Sequence, residues 1–350
     1  MDYKSIIDNL QINSVIELMR RLGADRYKEE ETQIIFPTIC HNVDSGEASM
    51  KLYFYKNSKM FHCYTECGSM SIFNFLKHYY EARGVEYDWV NDIYNVIIDC
   101  STFNPSIGFS APRYVSLREK YGQEKKQIQL PEYNKGALDT FIKRYPPEWL
   151  KDGISREAMD KYDIRYSISQ NKIIIPHLDV DGRLVGIRGR ALNEWEIENV
   201  GKYMPVRLEH TWYKHPLSMN LYGLYENQEN IKKAGVCYVF ESEKSVMQFE
   251  SFSGPNCAVA VCGSQFNKYQ LNLLLRTCQP NEIILCFDSE ERTGETKYFD
   301  KLWGICKKYV QYTNFSFIYD RLGLLGLKES PSDRGEETFK KLLQKRVKVK

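Results

Sequence analysis

The chain has 350 residues, with 48 Lys and Arg against 46 Asp and Glu for a net charge of +2, and is 43% hydrophobic and 27% charged. Such a length suits two or three compact units, each able to bury a core, and the balance excludes a disulfide-stapled miniprotein, wholesale disorder and a fibrous repeat. Charge so near neutrality excludes a nucleic-acid coat acting through bulk charge, so any nucleic-acid site has to be a local basic surface.

The longest apolar runs, such as Val236 to Phe240 and Ile283 to Phe287, fall far short of the roughly 18 residues of a bilayer span, so no membrane association is expected. Met1 to Lys4 carries an acid and leads into an amphipathic pattern without an apolar h-region, which predicts no secretory signal and a cytoplasmic chain. In that reducing compartment the ten cysteines read as metal ligands where they cluster and as core residues where they are scattered.

Ile6 to Leu22 predicts a helix that Gly23 stops. Thr32 to Phe61 breaks into strand-like pieces, Ile34 to Phe36 and Lys51 to Tyr55, around the turn-prone Asn42 to Gly46. A helix over Ser71 to Tyr80 follows, with Ser71 as its N-cap. Residues 101 to 128 read as a linker with a short helix near Val115 to Lys120. Between 129 and 235 the pattern is α+β, with helices at Leu138 to Tyr145 and Ser155 to Tyr162 and strands at Lys172 to Ile175 and Leu184 to Ile187.

From Val236 strands alternate with helices. Strands fall at Val236 to Phe240, Ala258 to Val261, Glu282 to Phe287 and Phe315 to Tyr319, and helices at Lys244 to Phe252, Lys268 to Cys278 and Glu295 to Val310. That order predicts a largely parallel sheet with helices on both faces. Lys340 to Lys350, with six basic residues in eleven, reads as a tail that frays into solvent.

Cys40 and His41 precede a strand-like segment that Cys63 and Cys67 follow, so folding the hairpin back gathers three thiolates and an imidazole, a donor set that suits tetrahedral zinc. His62 is a rival for the fourth position. In an open parallel sheet ligands sit at the carboxyl ends of the strands. Glu241 directly follows one strand, Asp288-Ser289-Glu290 another, and Cys262-Gly263-Ser264 a third. Carboxylates on one such edge can share magnesium for phosphoryl transfer. Arg183, Arg188, Arg190 and Lys202 stand among Gly182, Gly186, Gly189 and Gly201, where guanidinium groups and close backbone approach suit phosphate oxygens. Tyr203, Tyr213 and Tyr222 are assigned no role, and His177 and His215 read as loop histidines.

These segments resemble the DnaG-type bacterial primases, most closely the shorter forms encoded by bacteriophages, over residues 34 to 342. Val239 to Ser245, Ala260 to Ser264 and Phe287 to Glu290 look like the three motifs of the TOPRIM fold. Asp179 to Leu192 resembles the glycine-rich basic motif of the primase core, with Gly201 to Pro205 and Leu221 to Leu224 in the family's order downstream. Here Glu290 replaces the usual second aspartate, Ser242 the usual glycine, and Asp333 stands between Ser332 and Arg334 in the later acidic segment.

The resemblance implies an α+β and α/β chain: a zinc-ribbon module over 1–100, a linker over 101–128, a basic subdomain over 129–235, a TOPRIM (Rossmann-like) subdomain over 236–335 and a basic tail over 336–350. It implies a primase that copies single-stranded DNA into short RNA primers from ribonucleoside triphosphates during phage replication in the host cytoplasm. Glu241, Asp288 and Glu290 would be catalytic and, with Asp333, would hold Mg2+ or Mn2+. Arg183, Arg188, Arg190 and Lys202 would bind template or nucleotide, and Cys40, His41, Cys63 and Cys67 would hold Zn2+. The chain contains no GxxxxGK[ST] motif, which points to a separate replicative helicase as partner. Two other readings are a TOPRIM nuclease or topoisomerase-like enzyme, and an inactive zinc-ribbon protein that binds single-stranded DNA.

Overall fold

The computed structural model describes residues 3–43, 48–101, 129–290 and 297–349. The predicted linker helix, most of the Asn42 to Gly46 turn and the start of the Glu295 helix lie outside these residues. The chain divides into two units, Met1–Ile128 with Ala191–Lys202, and Gln129–Arg190 with Tyr203–Lys350.

The first unit is built on an antiparallel sheet in the order β1 (Lys28–Glu29), β2 (Gln33–Phe36), β3 (Leu52–Tyr55), β4 (Met60–Cys63), β5 (Gly68–Met70). Alternation along β3 and β4 buries Leu52, Phe54, Phe61 and Cys63 on one face, as the period of two requires. Phe61 stacks on Phe75 at 4.6 Å, a residue of helix Ile72–Ala82, whose N-cap Ser71 accepts from the Asn74 amide. The predicted single N-terminal helix is two, Tyr3–Asp8 and Ile12–Arg21. Asn9 turns its side-chain amide back onto the Ser5 carbonyl at 2.8 Å, and Gln11 is extended. An amide that bonds locally to backbone competes with helix continuation.

The second unit contains two sheets. One is ordered β10 (Thr211–Tyr213), β9 (Tyr203–Leu208), β8 (Leu184–Ala191), β7 (Lys172–Leu178), β6 (Arg165–Ser167). Ile174, Leu184, Ile187 and Val206 from it pack with Leu138 and Phe141. The predicted helix at Leu138 to Tyr145 is a single 3₁₀ segment, Lys135–Thr140. It ends because Phe141 is extended and Ile142 pairs with Tyr166 as an isolated bridge.

The other sheet is ordered β12 (Ala258–Ala260), β11 (Val236–Phe240), β13 (Glu282–Cys286), β14 (Asn314–Phe317), β15 (Val347–Val349). Its first four strands are parallel, as the strand-helix alternation predicted. Only β15 runs antiparallel, with Phe315 opposite Val349 and Phe317 opposite Val347. The tail expected to fray is therefore a paired edge strand. Val347-Lys348-Val349 has the alternation of a half-buried strand, and Arg346 clamps Glu282 through two bonds of 3.0 and 3.1 Å. Among the described residues no helix is long and apolar enough to cross a membrane.

Candidate functional site

In the first unit the β2–β3 connection and the β4–β5 turn bring Cys40, His41, Cys63 and Cys67 together, with one donor atom of each within 4.8 Å of the others. His41 Nδ1 lies 3.3, 3.7 and 3.5 Å from the sulfurs of Cys40, Cys63 and Cys67. Its Nε2 faces Thr65 Oγ1 at 3.3 Å and Glu66 at 3.6 Å, partners that orient the ring. His62 is turned away, bonded to Ser69 at 2.7 Å, so of the two histidines it is His41 that faces the three sulfurs. Burial opposes ionisation of the Cys63 thiol, but Thr65 and the amides of the following turn lower it to about 6. Burial, with Cys63 and Cys67 close by, pushes the Cys40 thiol up. Three thiols and an imidazole at these separations fit a structural zinc ion.

In the second unit parallel pairing aligns Phe240 with Cys286 and with Ala260. Glu241, Asp288 and Cys262 therefore leave three neighbouring strands at one sheet edge. Burial, and then the negative charge of Asp288, push the Glu241 carboxyl up to about 8. Its Oε1 is buried without a hydrogen-bond partner among the described residues. A half-buried acid with one unbonded oxygen, facing another acid, fits a divalent cation between them. Glu290 instead pairs with Lys301 at 2.7 Å. Asp333 is held by Lys244 at 2.9 Å, by the Gln248 amide and by the Ser330 backbone. Burial works against its charge, yet Lys244 keeps its carboxyl below the usual range. Cys262 sits at φ +56, a left-handed conformation that costs a side chain of this kind on the order of 1–3 kcal/mol.

The basic segment from Arg183 to Arg190 is committed in large part to the protein itself. Arg183 is taken up by Asp179 at 2.8 Å and Asp181 at 2.9 Å. Arg188 bonds Glu243 Oε1 at 2.6 Å and the Tyr203 carbonyl at 3.3 Å. Arg190, two residues on and on the same strand face, keeps a buried Nε without a partner among the described residues. Lys202 is exposed and belongs to the segment grouped with the first unit. The strand glycines are filled rather than open. A Cβ on Gly186 would collide with His215 Nδ1, and one on Gly189 would come within 3.0 Å of the Lys172 stem. Both glycines make room for neighbouring side chains.

No family model matches the chain. The SPbeta prophage-derived uncharacterized protein YorJ of Bacillus subtilis is 31% identical over 99% of this chain and 97% of its own length. The DNA primase of Buchnera aphidicola subsp. Baizongia pistaciae is 28% identical over 53% of this chain, and that of Haemophilus influenzae is 24% identical over 65%. The chain is homologous to the DnaG-type primases over part of its length. The aligned part makes up 27% and 37% of those two primases, so the chain spans about a quarter to a third of their length. Among solved structures, the zinc-binding and RNA polymerase domains of the Aquifex aeolicus primase align with 96% of this chain and 86% of theirs, at 15% identity and a TM-score of 0.47. A DnaG primase catalytic domain bound to ssDNA aligns with 61% of this chain and 77% of its own, at 20% identity and a TM-score of 0.46.

Within the chain the structure gathers the four candidate zinc donors and sets Glu241 beside Asp288. It leaves Glu290 on Lys301 and Asp333 on Lys244. Sequence reasoning missed Glu243. This residue begins helix Glu243–Glu250, is 1% exposed, and bonds His177 at 3.1 Å as well as Arg188. His177 is not a loop residue, since it lies in β7 and is equally buried. Burial pushes its imidazole towards the neutral form, so Nε2 donates to the carboxylate. Burial opposes the Glu243 charge, and Arg188 and His177 outweigh it and hold the carboxylate well below the usual range. His177, Glu243 and Cys262 place one donor atom each within 4.8 Å of the others. The Arg188 guanidinium already supplies the positive charge there. The only signal in the sequence was a second acid two residues beyond Glu241, at the start of a helix.

Proposed function

We propose that the chain is a DNA primase that makes short RNA primers on single-stranded DNA during phage replication. The observation that carries this reading is the meeting of Glu241 and Asp288 at the carboxyl edge of a parallel sheet, with an unbonded buried oxygen on Glu241, in a chain that aligns with primases along much of its length. The three motifs read as TOPRIM fall on β11, β12 and β13 and the turns after them.

In nucleotidyl transfer the 3′-hydroxyl oxygen of one nucleotide bonds to the α-phosphorus of the next, the bond to the bridging oxygen breaks, and pyrophosphate leaves. Glu241, more basic than an ordinary carboxylate, is suited to take the hydroxyl proton. Glu241 and Asp288, joined by Glu290 on its release from Lys301, would hold Mg2+ or Mn2+, and Asp333 would join only on leaving Lys244. The ion would neutralise triphosphate charge and stabilise the leaving pyrophosphate. Arg190, with its unbonded Nε, would meet a phosphate oxygen. Cys40, His41, Cys63 and Cys67 would hold zinc and stiffen a module that meets the template. A separate helicase would deliver that template.

Incubation of the chain with a single-stranded template, labelled ribonucleotides and magnesium or manganese tests the reading. Short RNA is the expected product, cut DNA would make the chain a nuclease, and neither would make it a binding protein. Glu241→Gln and Asp288→Asn are each expected to lower primer yield on the order of 100-fold or more. Full yield from both variants would overturn the assignment.

A further inference from the structure

We propose that Glu243 is a positioning residue for nucleotidyl transfer, which ties the strand carrying Arg190 to the turn carrying Glu241 through a buried bond to Arg188. The inference rests on the primer-synthesis reading and extends it to residues outside the metal site.

Three observations converge on Glu243. It stands two residues after Glu241 in the turn that leaves β11 and is 1% exposed, as is His177, while Arg188 is 13% exposed. A single oxygen, Oε1, accepts from His177 on β7 and from Arg188 on β8, so one carboxylate joins two strands of one sheet to the start of the helix that follows β11 of the other. Arg188 then reaches a third strand. It donates to the Tyr203 carbonyl of β9, and its guanidinium lies 5.3 Å from the centre of the Tyr203 ring.

The consequence is geometric. Residues two apart on a strand share a face, so whatever fixes Arg188 also aims Arg190. The Glu243–Arg188 bond therefore sets the spacing between the Arg190 guanidinium, which also meets Tyr203, and the acids at the reacting edge. Arg188 is spent on this bond and is not itself the phosphate ligand. A spacing error leaves the cation able to attract phosphate but misaligns the reacting atoms. Such an error lowers kcat far more than it raises KM.

The obvious variant, Glu243→Gln, strands the Arg188 charge in the interior and threatens the fold. The test therefore removes both charges. In Glu243→Gln/Arg188→Met the glutamine still accepts from His177, and the methionine fills the space of the arginine stem beside Tyr203. Thermal melting, kcat and KM for ribonucleotides, and affinity for a labelled single-stranded oligonucleotide are measured on the full chain. Expected is melting within a few degrees of wild type, with kcat at least about tenfold lower and KM and oligonucleotide affinity within about threefold. A stable double variant with wild-type kcat would show a merely structural pair and overturn the proposal. So would a loss confined to KM or oligonucleotide affinity, which would make Arg188 a ligand-gripping residue. If the double variant does not fold, Glu243→Asp, which keeps the charge and shortens its reach, is expected to show the same kcat-selective loss, and wild-type kcat there overturns the proposal. A wild-type chain that makes no primer overturns the underlying reading and this inference with it, whereas an active double variant overturns this inference alone.

Discussion

Without a metal ion beside it, Glu241 is a carboxyl that its surroundings keep protonated, and an ion bound beside Asp288 would displace that proton. Burial first and Asp288 second raise it from 4.5 to about 8, so in metal-free buffer the folded state holds a proton that the unfolded chain has released. Its stabilising contribution is complete below about pH 4.5 and is lost as pH rises through about 8. Glu241→Gln has no such loss, so the stability of wild type is expected to fall relative to the variant between pH 5 and 8, with a limiting slope of about 1.4 kcal/mol per pH unit. Parallel stability curves from chemical denaturation across that range would contradict the shift. At the zinc cluster the same scale separates two histidines that the sequence left as rivals. His62 is bonded to Ser69 and His41 faces all three sulfurs, so His62→Ala is expected to retain about one zinc ion per chain and His41→Ala to lose most of it. Atomic absorption on the purified variants decides.

The element with the most unexpected role is the basic carboxyl terminus. Lysines and arginines at this density suggested solvent, but Val347 and Val349 pair with β14, and Phe339 of helix Gly335–Gln344 enters an aromatic cluster. Its ring lies 5.1 Å from Phe249, 5.8 Å from Tyr238 and 6.1 Å from Phe240. Phe339→Ala is therefore expected to destabilise the second unit by about 3–5 kcal/mol, measured by denaturant unfolding. A cost below about 1 kcal/mol would mean that this cluster does not close the sheet. Composition misled here because charge density was weighed above alternation, and only the alternation reports which side chains a strand can bury. The converse held at β11. Val236-Cys237-Tyr238-Val239-Phe240 is a short apolar run with a turn on either side, and the strand spans those five residues.

At the scale of the whole molecule a net charge of +2, with Arg183 and Arg188 paired internally, leaves few phosphate contacts. With about two to three such contacts, from residues such as Arg190 and Lys202, oligonucleotide affinity is expected to fall with a log–log salt slope between about −1 and −2. A slope steeper than about −4 would require a basic surface that these residues do not form. The sequence by itself determined the strand-helix order, the clustering of Cys40, Cys63 and Cys67 around a hairpin and the acids at strand ends. Those features are local: hydrophobic period, donor chemistry and the residue that follows an apolar run. It could not determine which of two histidines faces the sulfurs, that Asp333 is held by Lys244, or that Arg188 is neutralised by Glu243 across 55 positions of chain. Such pairings depend on which side chains the folded backbone brings into one low-dielectric interior, where a lone charge is costly and a matched pair is stable. Only the tertiary structure decides that.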